Sequence, residues 1–183
     1  MRAIIVYHSD YGSTEKLAQA IAAGMTASDA NIEVHLKRAD QCTPEQLLDA
    51  EILVFGTPVH MGAMSWQLKR LIDDSASLWM EGALAGKLGG AFVTAGGFGG
   101  AGGGGEQTLI SLHANFLEHG MLVAGFPKSL PGYRDAGLHW GVCARTGDAQ
   151  GMPAGIQEGA LMAGRSYGAH LAEVAQRLFK GCD

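Results

Sequence analysis

The sequence predicts an α/β protein with a doubly wound, five-stranded parallel sheet and helices on both faces. Strand-like and helix-like runs alternate along the 183 residues, as in chains whose parallel strands are joined by helical crossovers. Hydrophobic residues form 47% of the chain, enough for a buried core, and the length favours a single domain over residues 1–183. We expect the strand order 2-1-3-4-5.

Five short apolar runs predict the strands. Residues 3–7 and 52–55 are continuously apolar, as strands buried on both faces are. Residues 32–36 alternate between polar and apolar side chains, which is typical of an edge strand. The remaining two strands are predicted at residues 90–94 and 121–124.

Helical spacing of apolar residues predicts five helices. They cover residues 14–25, 43–48, 65–73, 106–118 and 158–179. The second begins at Thr43, with proline at its first position and Gln46 placed to complete a capping box. Residues 128–155 are expected to be irregular.

Composition excludes several classes of function. The net charge of −5 gives no basic face for a nucleic acid, and no apolar run is long enough to cross a bilayer. The chain begins directly with a strand-like run, so we expect a cytoplasmic protein without a membrane partner. Three separated cysteines and seven histidines form no zinc or other metal-binding pattern, so no metal is expected.

The loop at residues 9–14, between the first strand and the first helix, is rich in hydroxyl groups and contains no lysine or arginine. The first amides of a helix lack intrahelical partners and can bind an anion, and Ser9, Ser13 and Thr14 could add hydroxyl donors. Gly12 permits the backbone conformation of a tight anion-binding turn. Two interpretations stay open at this point: a site for a phosphate monoester, or a helix N-cap at Ser13 or Thr14.

Three unusual loops follow predicted strand ends, at residues 9–14, 57–62 and 94–97. In the expected strand order these loops converge on one crevice at the carboxyl edge of the sheet. The second and third offer backbone amides, few bulky side chains and a turn fixed by Pro58, which suits a flat heterocycle. Phosphate and flat ring together predict a mononucleotide.

The glycine tract at residues 96–105 contains a G-x-G-x-x-G pattern at residues 97–102. This is not interpreted as a dinucleotide fingerprint, because it follows the fourth predicted strand and lacks the ribose-binding acid about twenty residues further on. The tract is either a surface loop or a lid over a ligand, and both interpretations stay open.

Six motifs in order carry a resemblance to a known family. They are Ser9-x-Tyr11-Gly12-Ser13-Thr14, Phe55-Gly56-Thr57-Pro58, Gly62-Ala63-Met64-Ser65, Leu78-Trp79-Met80-Glu81-Gly82-Ala83-Leu84-x-Gly86-Lys87, Gly105-Glu106-Gln107-Thr108 and His119-Gly120-Met121. In these motifs the chain resembles the flavodoxin-like NAD(P)H:quinone oxidoreductases called tryptophan-repressor-binding proteins, the WrbA family. The resemblance implies FMN as cofactor, two-electron transfer from NADH or NADPH to quinones, and a homodimer or homotetramer.

The resemblance also assigns residues to the cofactor. It implies that Ser9, Tyr11, Gly12, Ser13 and Thr14 hold the FMN phosphate, that Pro58, Val59, His60, Met61 and Gly62 border the ring, and that Thr94, Ala95, Gly96 and Gly97 lie on its other polar edge. His60 and His119 could donate to flavin oxygens or protonate the quinone, although a single histidine more often has a structural partner. Trp79 is expected at the edge of the site or in a subunit contact.

The chain departs from the family pattern in two of its motifs. Val59-His60-Met61 stands where the family has Thr-Arg-Phe, so one guanidinium and one aromatic ring are lost. Glu118 stands where the family has a histidine expected near the flavin.

Two other functions are weighed against the enzyme. A flavodoxin-type electron carrier passes single electrons to protein partners without substrate turnover of its own, and a flavin-free interaction protein is the third candidate. Residues 59–61 supply no aromatic clamp for the ring, and charged residues total only 17% of the chain. Both observations favour an enzyme whose ring is accessible to a small quinone.

Overall fold

The computed structural model describes residues 1–28, 30–97 and 102–179. Within these residues a central sheet has helices on both faces. The strands are β1 (Arg2–Tyr7), β2 (Glu33–Arg38), β3 (Ile52–His60), β4 (Ala63–Met64), β5 (Leu88–Ala95), β6 (Leu122–Val123), β7 (Gly137–Leu138) and β8 (Gly141–Arg145). The α-helices are α1 (Ser13–Thr26), α2 (Trp66–Asp74), α3 (Ala76–Glu81), α4 (Gly105–Glu118), α5 (Tyr133–Ala136) and α6 (Glu158–Phe179).

The strands follow the order β2-β1-β3-β5-β8-β7, with β4 added to β3 and β6 added to β5. The three strand pairs β2–β1, β1–β3 and β3–β5 are parallel. In their register, Ile4 on β1 lies opposite His35 on β2 and Leu53 on β3. The doubly wound fold is therefore confirmed, and β1 and β3 lie at the point where the strand order reverses. This point is the carboxyl-edge crevice in which such sheets bind ligands.

The fifth strand is split, which corrects the sequence prediction. β6 pairs with the start of β5 at Leu88 and Gly89, and β8 pairs with the end of β5 from Phe92 to Ala95. The residues between the two halves form α5 and β7, so the stretch predicted to be irregular is partly regular. Gly141 makes the junction possible, since a Cβ there would lie 2.1 Å from the carbonyl oxygen of Ala91.

The helices follow the prediction with two differences. α1, α4 and α6 begin and end within about one residue of the predicted bounds. The helix predicted at residues 43–48 is a 3-10 helix, Pro44–Asp49, and the predicted capping box between Thr43 and Gln46 is present. Another 3-10 helix, Ala39–Gln41, precedes it. α3 follows α2 as a separate helix that the spacing of apolar residues did not predict.

Alternate residues of β1 feed two hydrophobic cores. Ala3 and Ile5 belong to the core on the α1 and α6 face, whereas Ile4 and Val6 belong to the core that α2 and α4 cover. The central strands are thus buried on both sides, as their continuous apolar sequence predicts. In the described part of the chain, no helix combines the length and apolar character needed to cross a membrane.

Helices α1 and α6 approach each other through glycines. A Cβ on Gly168 would lie 2.0 Å from the carbonyl oxygen of Ile21, and one on Gly24 would lie 1.9 Å from that of Arg165. Gly164 faces a side chain instead, since a Cβ on it would lie 2.8 Å from Cδ1 of Leu17. Glycine at these positions therefore fixes the distance between the two helices and holds α1 against the sheet.

Candidate functional site

A cleft of about 360 Å³ opens at the carboxyl edge of the sheet, between the ends of β1, β3 and β5. Its volume lies in the range of small-molecule sites. The lining residues are Ser9, Asp10, Tyr11, Ser13, Thr14, Pro58, Val59, His60, Thr94, Gly96, Thr146, Gly151, Met152 and Pro153. The three loops singled out in the sequence therefore converge, as the expected strand order requires.

The first wall is the start of α1. Gly12 is its N-cap residue with φ of 81°, and the cap has no side-chain hydrogen bond, so the interpretation of Ser13 or Thr14 as an N-cap is wrong. The first hydrogen bond at this end runs from the amide of Lys16 to the carbonyl oxygen of Gly12, at 3.0 Å. The amides of the preceding residues at the helix start have no intrahelical acceptor and carry the positive end of the helix dipole.

Two hydroxyl groups lie beside these amides. Oγ of Ser9 is buried and has no hydrogen-bond partner among the described residues. Oγ1 of Thr14 lies 2.8 Å from Oγ1 of Thr94, a buried pair that joins α1 to the end of β5. An unpaired buried hydroxyl costs free energy, and it gains a partner when an acceptor arrives.

The second wall is the end of β3. Pro58, Val59 and His60 continue the strand, and the two-residue turn Met61-Gly62 connects it to β4 with φ of 48° and 83°. Positive φ at both central residues is the pattern of a type I′ hairpin turn.

The structure corrects the predicted position of two residues in this turn. Met61 is fully exposed and does not line the cleft. Gly62 packs against the start of α4, since a Cβ on Gly104 would lie 2.6 Å from the Cα of Gly62. Neither residue borders the space that the resemblance assigned to the ring. A ligand ring in this cleft would lie against Pro58 and Val59 instead.

The third wall combines the end of β5 with a loop after β8. Thr94 and Gly96 line the cleft, whereas Ala95 is buried behind it and Gly97 lies outside the lining. Part of the predicted glycine lid, at residues 98–101, lies outside the described residues.

The loop after β8 adds lining residues that the sequence analysis missed. They are Thr146, Gly151, Met152 and Pro153. The loop is closed by Asp148, whose Oδ1 accepts hydrogen bonds from the amides of Gln150 at 2.9 Å and Met152 at 2.8 Å. An aspartate that bonds amides two and four residues ahead is a turn signal that the sequence does contain.

A charged cluster also escaped the sequence analysis. Asp10 Oδ1 lies 3.1 Å from Nε2 of His8, and its Oδ2 lies 2.9 Å from Nε2 of His60. Burial works to raise the pKa of the Asp10 carboxyl, but the hydrogen bonds from His8 and His60 outweigh it and hold that pKa below its usual value. Among the described residues, no three potential ligands are arranged to hold a metal ion.

Three residues that the resemblance places near the flavin do not line the cleft. α4 starts at the carboxyl edge of the sheet and ends at the amino edge, so Glu118 and His119 are placed far from the cleft. Nε2 of His119 lies 3.2 Å from Oγ of Ser75, and burial lowers the pKa of this histidine. Trp79, on α3, is half exposed and does not line the cleft of its own chain. The catalytic role predicted for His119 therefore has no support within one chain.

A larger depression of about 500 Å³ lies between α1 and α6. Alanine, glycine and serine residues form most of its lining, and its arginine, Arg165, is already hydrogen-bonded to Glu158. It has neither a helix start nor a buried unpaired hydroxyl among its described residues. The smaller carboxyl-edge cleft is therefore the better candidate.

The chemistry of the carboxyl-edge cleft fits a phosphate monoester joined to a flat polar ring. Helix-start amides and the Ser9 hydroxyl offer unpaired donors at one end, and none of the described lining residues is lysine or arginine. The slot between Pro58 and Gly96 is lined mostly by small residues, together with Met152. The donors and the slot form one continuous space.

Comparison with known proteins agrees with this geometry. The flavodoxin family profile matches residues 5–158. A relative from Solidesulfovibrio magneticus named NAD(P)H dehydrogenase (quinone) is 35% identical over 208 aligned residues, covering 97% of this chain and 99% of the relative.

Solved structures give the same result. The flavodoxin, WrbA-like protein from Agrobacterium tumefaciens superimposes with a TM-score of 0.68 at 27% identity, covering 97% of this chain and 98% of that one. Oxidised Flavodoxin 2 from Bacillus cereus shares the fold alone, with a TM-score of 0.69 at 19% identity over 95% of this chain and 99% of that one. With its nearly full-length match in sequence and in fold, the chain belongs to the flavodoxin family.

Proposed function

We propose that this protein is an FMN-dependent oxidoreductase that transfers two electrons from NADH or NADPH to a quinone. The observation that carries the proposal is the cleft of a flavodoxin-family chain in which the first amides of α1 have no intrahelical acceptor and the Ser9 hydroxyl has no hydrogen-bond partner within the described part of the chain. The activity named for the Solidesulfovibrio relative, which matches almost the whole chain, supports the substrates.

The residues that would hold FMN are those of the three cleft walls. The start of α1 and the hydroxyls of Ser9, Ser13 and Thr14 would take the phosphate, with Tyr11 beside them. Pro58, Val59, Thr94, Gly96 and Met152 would border the ring. Gly12 contributes through its backbone conformation, because its φ of 81° turns the chain into α1.

When bound, FMN supplies the redox chemistry, accepting two electrons from a reduced nicotinamide and passing them to a quinone. The protein positions both substrates and excludes water. Backbone groups near Thr94 and Gly96 would orient the polar edge of the ring, and His60 holds a proton at the wall of the cleft. Since Nε2 of His60 is engaged by Asp10, the opposite edge of its imidazole is the part available to a substrate.

The cleft favours an enzyme over an electron carrier. Tyr11 is the only phenylalanine, tyrosine or tryptophan among its described lining residues, and 79% of Tyr11 is exposed. One aromatic ring cannot enclose a flavin from both faces, so a nicotinamide or a quinone can approach it. A carrier that only exchanges electrons with proteins has no need of such access.

The proposal extends to assembly and location. Trp79 and Met80 on α3 and Leu117 on α4 are exposed apolar side chains, and the proposed homodimer or homotetramer would cover such residues. The chain would act as one flavodoxin-like domain over residues 1–183, in the cytoplasm.

Anaerobic titration of the FMN-loaded protein tests the proposed function. NADH or NADPH should bleach the flavin absorption completely, and benzoquinone should then restore it. The variant Thr14→Val should bind FMN about tenfold more weakly, because it removes one hydroxyl of the buried pair. Thr26→Val, at the exposed end of the same helix, is the matched control and should behave like the wild type. A protein that binds no flavin, or whose flavin neither nicotinamide reduces, would refute the proposal.

A further inference from the structure

The phosphate end of the cleft contains a histidine–aspartate–histidine cluster, formed by His8, Asp10 and His60. Each oxygen of the Asp10 carboxylate is engaged by a different imidazole, at 3.1 Å and 2.9 Å. His60 and Asp10 are 50 residues apart in sequence, so the cluster joins the loop after β1 to the end of β3. It thus connects two walls of the cleft.

Asp10 is an unusual neighbour for a phosphate. It lies within the loop of residues 9–14 and lines the same cleft as Ser13 and Thr14. A bound phosphate monoester carries about −1.5 to −2 charges near neutral pH, so an adjacent carboxylate repels it. A proton on one of the two imidazoles would cancel the charge of Asp10 and remove this repulsion.

His8 is poorly placed to carry that proton. It is only 5% exposed, and its Nδ1 is buried without a hydrogen-bond partner among the described residues. A charged imidazolium has an N–H on both ring nitrogens, and a buried unpaired N–H is costly. With Nε2–H donating to Asp10 and no hydrogen on Nδ1, His8 leaves no buried N–H without an acceptor.

His60 has no such restriction. Its side chain is 42% exposed, so water can solvate the second nitrogen when the ring is protonated. Histidine is also the side chain that ordinarily changes charge between pH 5 and 8. Of the two imidazoles, His60 is the one whose second nitrogen can be hydrated.

We propose that His60 takes up a proton when a flavin phosphate occupies the adjacent loop, so that this chain binds its cofactor more tightly as the pH falls. The inference rests on the proposed function, because it needs FMN in the carboxyl-edge cleft. It predicts that the effect of pH on affinity requires the phosphate group. Riboflavin has no phosphate, so protonation of His60 should not raise its affinity.

Other titratable side chains on the elements around the cleft bond to groups outside this cluster or are exposed to solvent. On α1, Glu15 accepts a hydrogen bond from the hydroxyl of Tyr7, and Lys16 is exposed to solvent. Asp148 bonds the amides of its own loop, and Glu106 on α4 accepts a hydrogen bond from the indole of Trp140. The Asp10 carboxylate and the two imidazoles bonded to it are the groups that face one another.

Flavin fluorescence quenching between pH 5.5 and 8.0 tests the inference without any measurement of activity. Dissociation constants for FMN and riboflavin are measured on the apo-protein and on His60→Gln, in which an amide can still donate to Asp10 but cannot be protonated. The second ionisation of FMN itself is common to both proteins and cancels in the ratio of their constants. That ratio, variant over wild type, should fall by about tenfold from pH 5.5 to 8.0 for FMN and stay constant for riboflavin.

Two further variants sharpen this measurement. Asp10→Asn removes the carboxylate and should bind FMN about threefold more tightly than the wild type at pH 8.0. His35→Gln is the matched control: His35 lies 3.2 Å from Glu33 on the edge strand β2 and is similarly exposed, but lies away from the cleft. Its pH profile should match that of the wild type.

The outcomes separate the two proposals. If FMN binds but His60→Gln keeps the pH profile of the wild type, the proton-uptake inference is wrong and the proposed function stands. If riboflavin shows the same pH-dependent ratio as FMN, the proton does not act on the phosphate and the inference is equally wrong. If the apo-protein binds FMN at no pH, the proposed function fails, and the inference fails with it.

Discussion

The two ends of helix α1 differ: one is closely packed against another helix, and the other has hydrogen-bond donors without acceptors. Near its C-terminal end, α1 packs so closely on α6 that Cβ atoms at Gly24 or Gly168 would collide with backbone oxygens. At its N-terminal end, the first amides have no intrahelical acceptor, and the buried hydroxyl of Ser9 has no hydrogen-bond partner in residues 1–28, 30–97 and 102–179. One end is therefore closely packed in the folded chain, and we propose that a ligand pairs with the donors at the other.

Because of this difference, we expect the two ends of α1 to affect different properties, namely folding stability and flavin affinity. Changes at the α1–α6 contact should alter folding and leave flavin affinity alone, whereas changes at the α1 start should do the reverse. The variants below test that separation, from the largest expected effect to the smallest.

Gly168→Ala should destabilise the protein by about 3 kcal/mol, because its Cβ would lie 2.0 Å from the backbone oxygen of Ile21 and backbone cannot move aside cheaply. Urea denaturation measures this loss. Gly164→Ala on the same helix is the control: its Cβ meets the end of the Leu17 side chain, and the gain in helix propensity of about 1 kcal/mol offsets much of the strain. Equal losses for the two variants would contradict the close-packing account.

Tyr167→Phe should cost about 2 kcal/mol, since the fully buried hydroxyl donates to Ala124 at 2.7 Å and accepts from the amide of Ala91 at 3.2 Å. Removing it leaves both backbone groups unpaired beside the split fifth strand. Thermal unfolding of Tyr133→Phe, which loses an exposed hydrogen bond to His139, provides the comparison and should show a much smaller shift. If both shifts are small, Tyr167 does not help to hold the split strand.

Ser9→Ala should weaken FMN binding by about tenfold, or about 1.4 kcal/mol, without lowering the stability of the apo-protein. The removed hydroxyl is buried and makes no hydrogen bond to any residue that the structure describes, so the apo-protein loses no hydrogen bond when it is removed. Fluorescence titration and urea denaturation of the same preparation give both quantities. A loss of stability with unchanged affinity would reverse the assignment of this end of α1.

Met61→Asn should stabilise the protein by about 0.5–1 kcal/mol, since φ of 48° is strained for methionine and readily adopted by asparagine. Flavin affinity should not change, because Met61 is fully exposed and outside the cleft. Lower affinity in this variant would show that Met61 contacts the ligand, as the family resemblance implies.

The smallest effect concerns pH. The pKa of Asp10 is held below its usual value by His8 and His60, so its pairing stabilises the fold above the unfolded pKa of about 4 and is lost as the pH falls through the folded pKa. The wild-type apo-protein should exceed Asp10→Asn in stability at pH 6, and this advantage should disappear in more acid solution. An advantage independent of pH would show that Asp10 does not act through its charge.

The structural features that the sequence predicts correctly are those that depend on long runs of adjacent residues. Helices α1, α4 and α6 follow from the spacing of apolar residues, and the cleft follows from the rule that ligands bind at the carboxyl edge where strand order reverses. The hydroxyl-rich loop after β1 could be assigned to a phosphate because a helix start and donor side chains are adjacent in sequence.

Features formed by distant or very short segments could not be predicted. A two-residue strand such as β6 has no periodicity to detect, and β8 joins β5 only because Gly141 allows close approach. The pairing of Asp10 with His60 depends on the sheet order that brings β1 beside β3. The position of His119 away from the cleft of its own chain could not be predicted, because its motif says nothing about the edge of the sheet at which α4 ends.

A crystal structure of the protein with FMN tests the central claim most directly. We expect the phosphate against the amides at the start of α1, within hydrogen-bonding distance of Oγ of Ser9, and the ring between the ends of β3 and β5. A phosphate bound elsewhere, for example in the depression between α1 and α6, would contradict the assignment of the unpaired donors to cofactor binding.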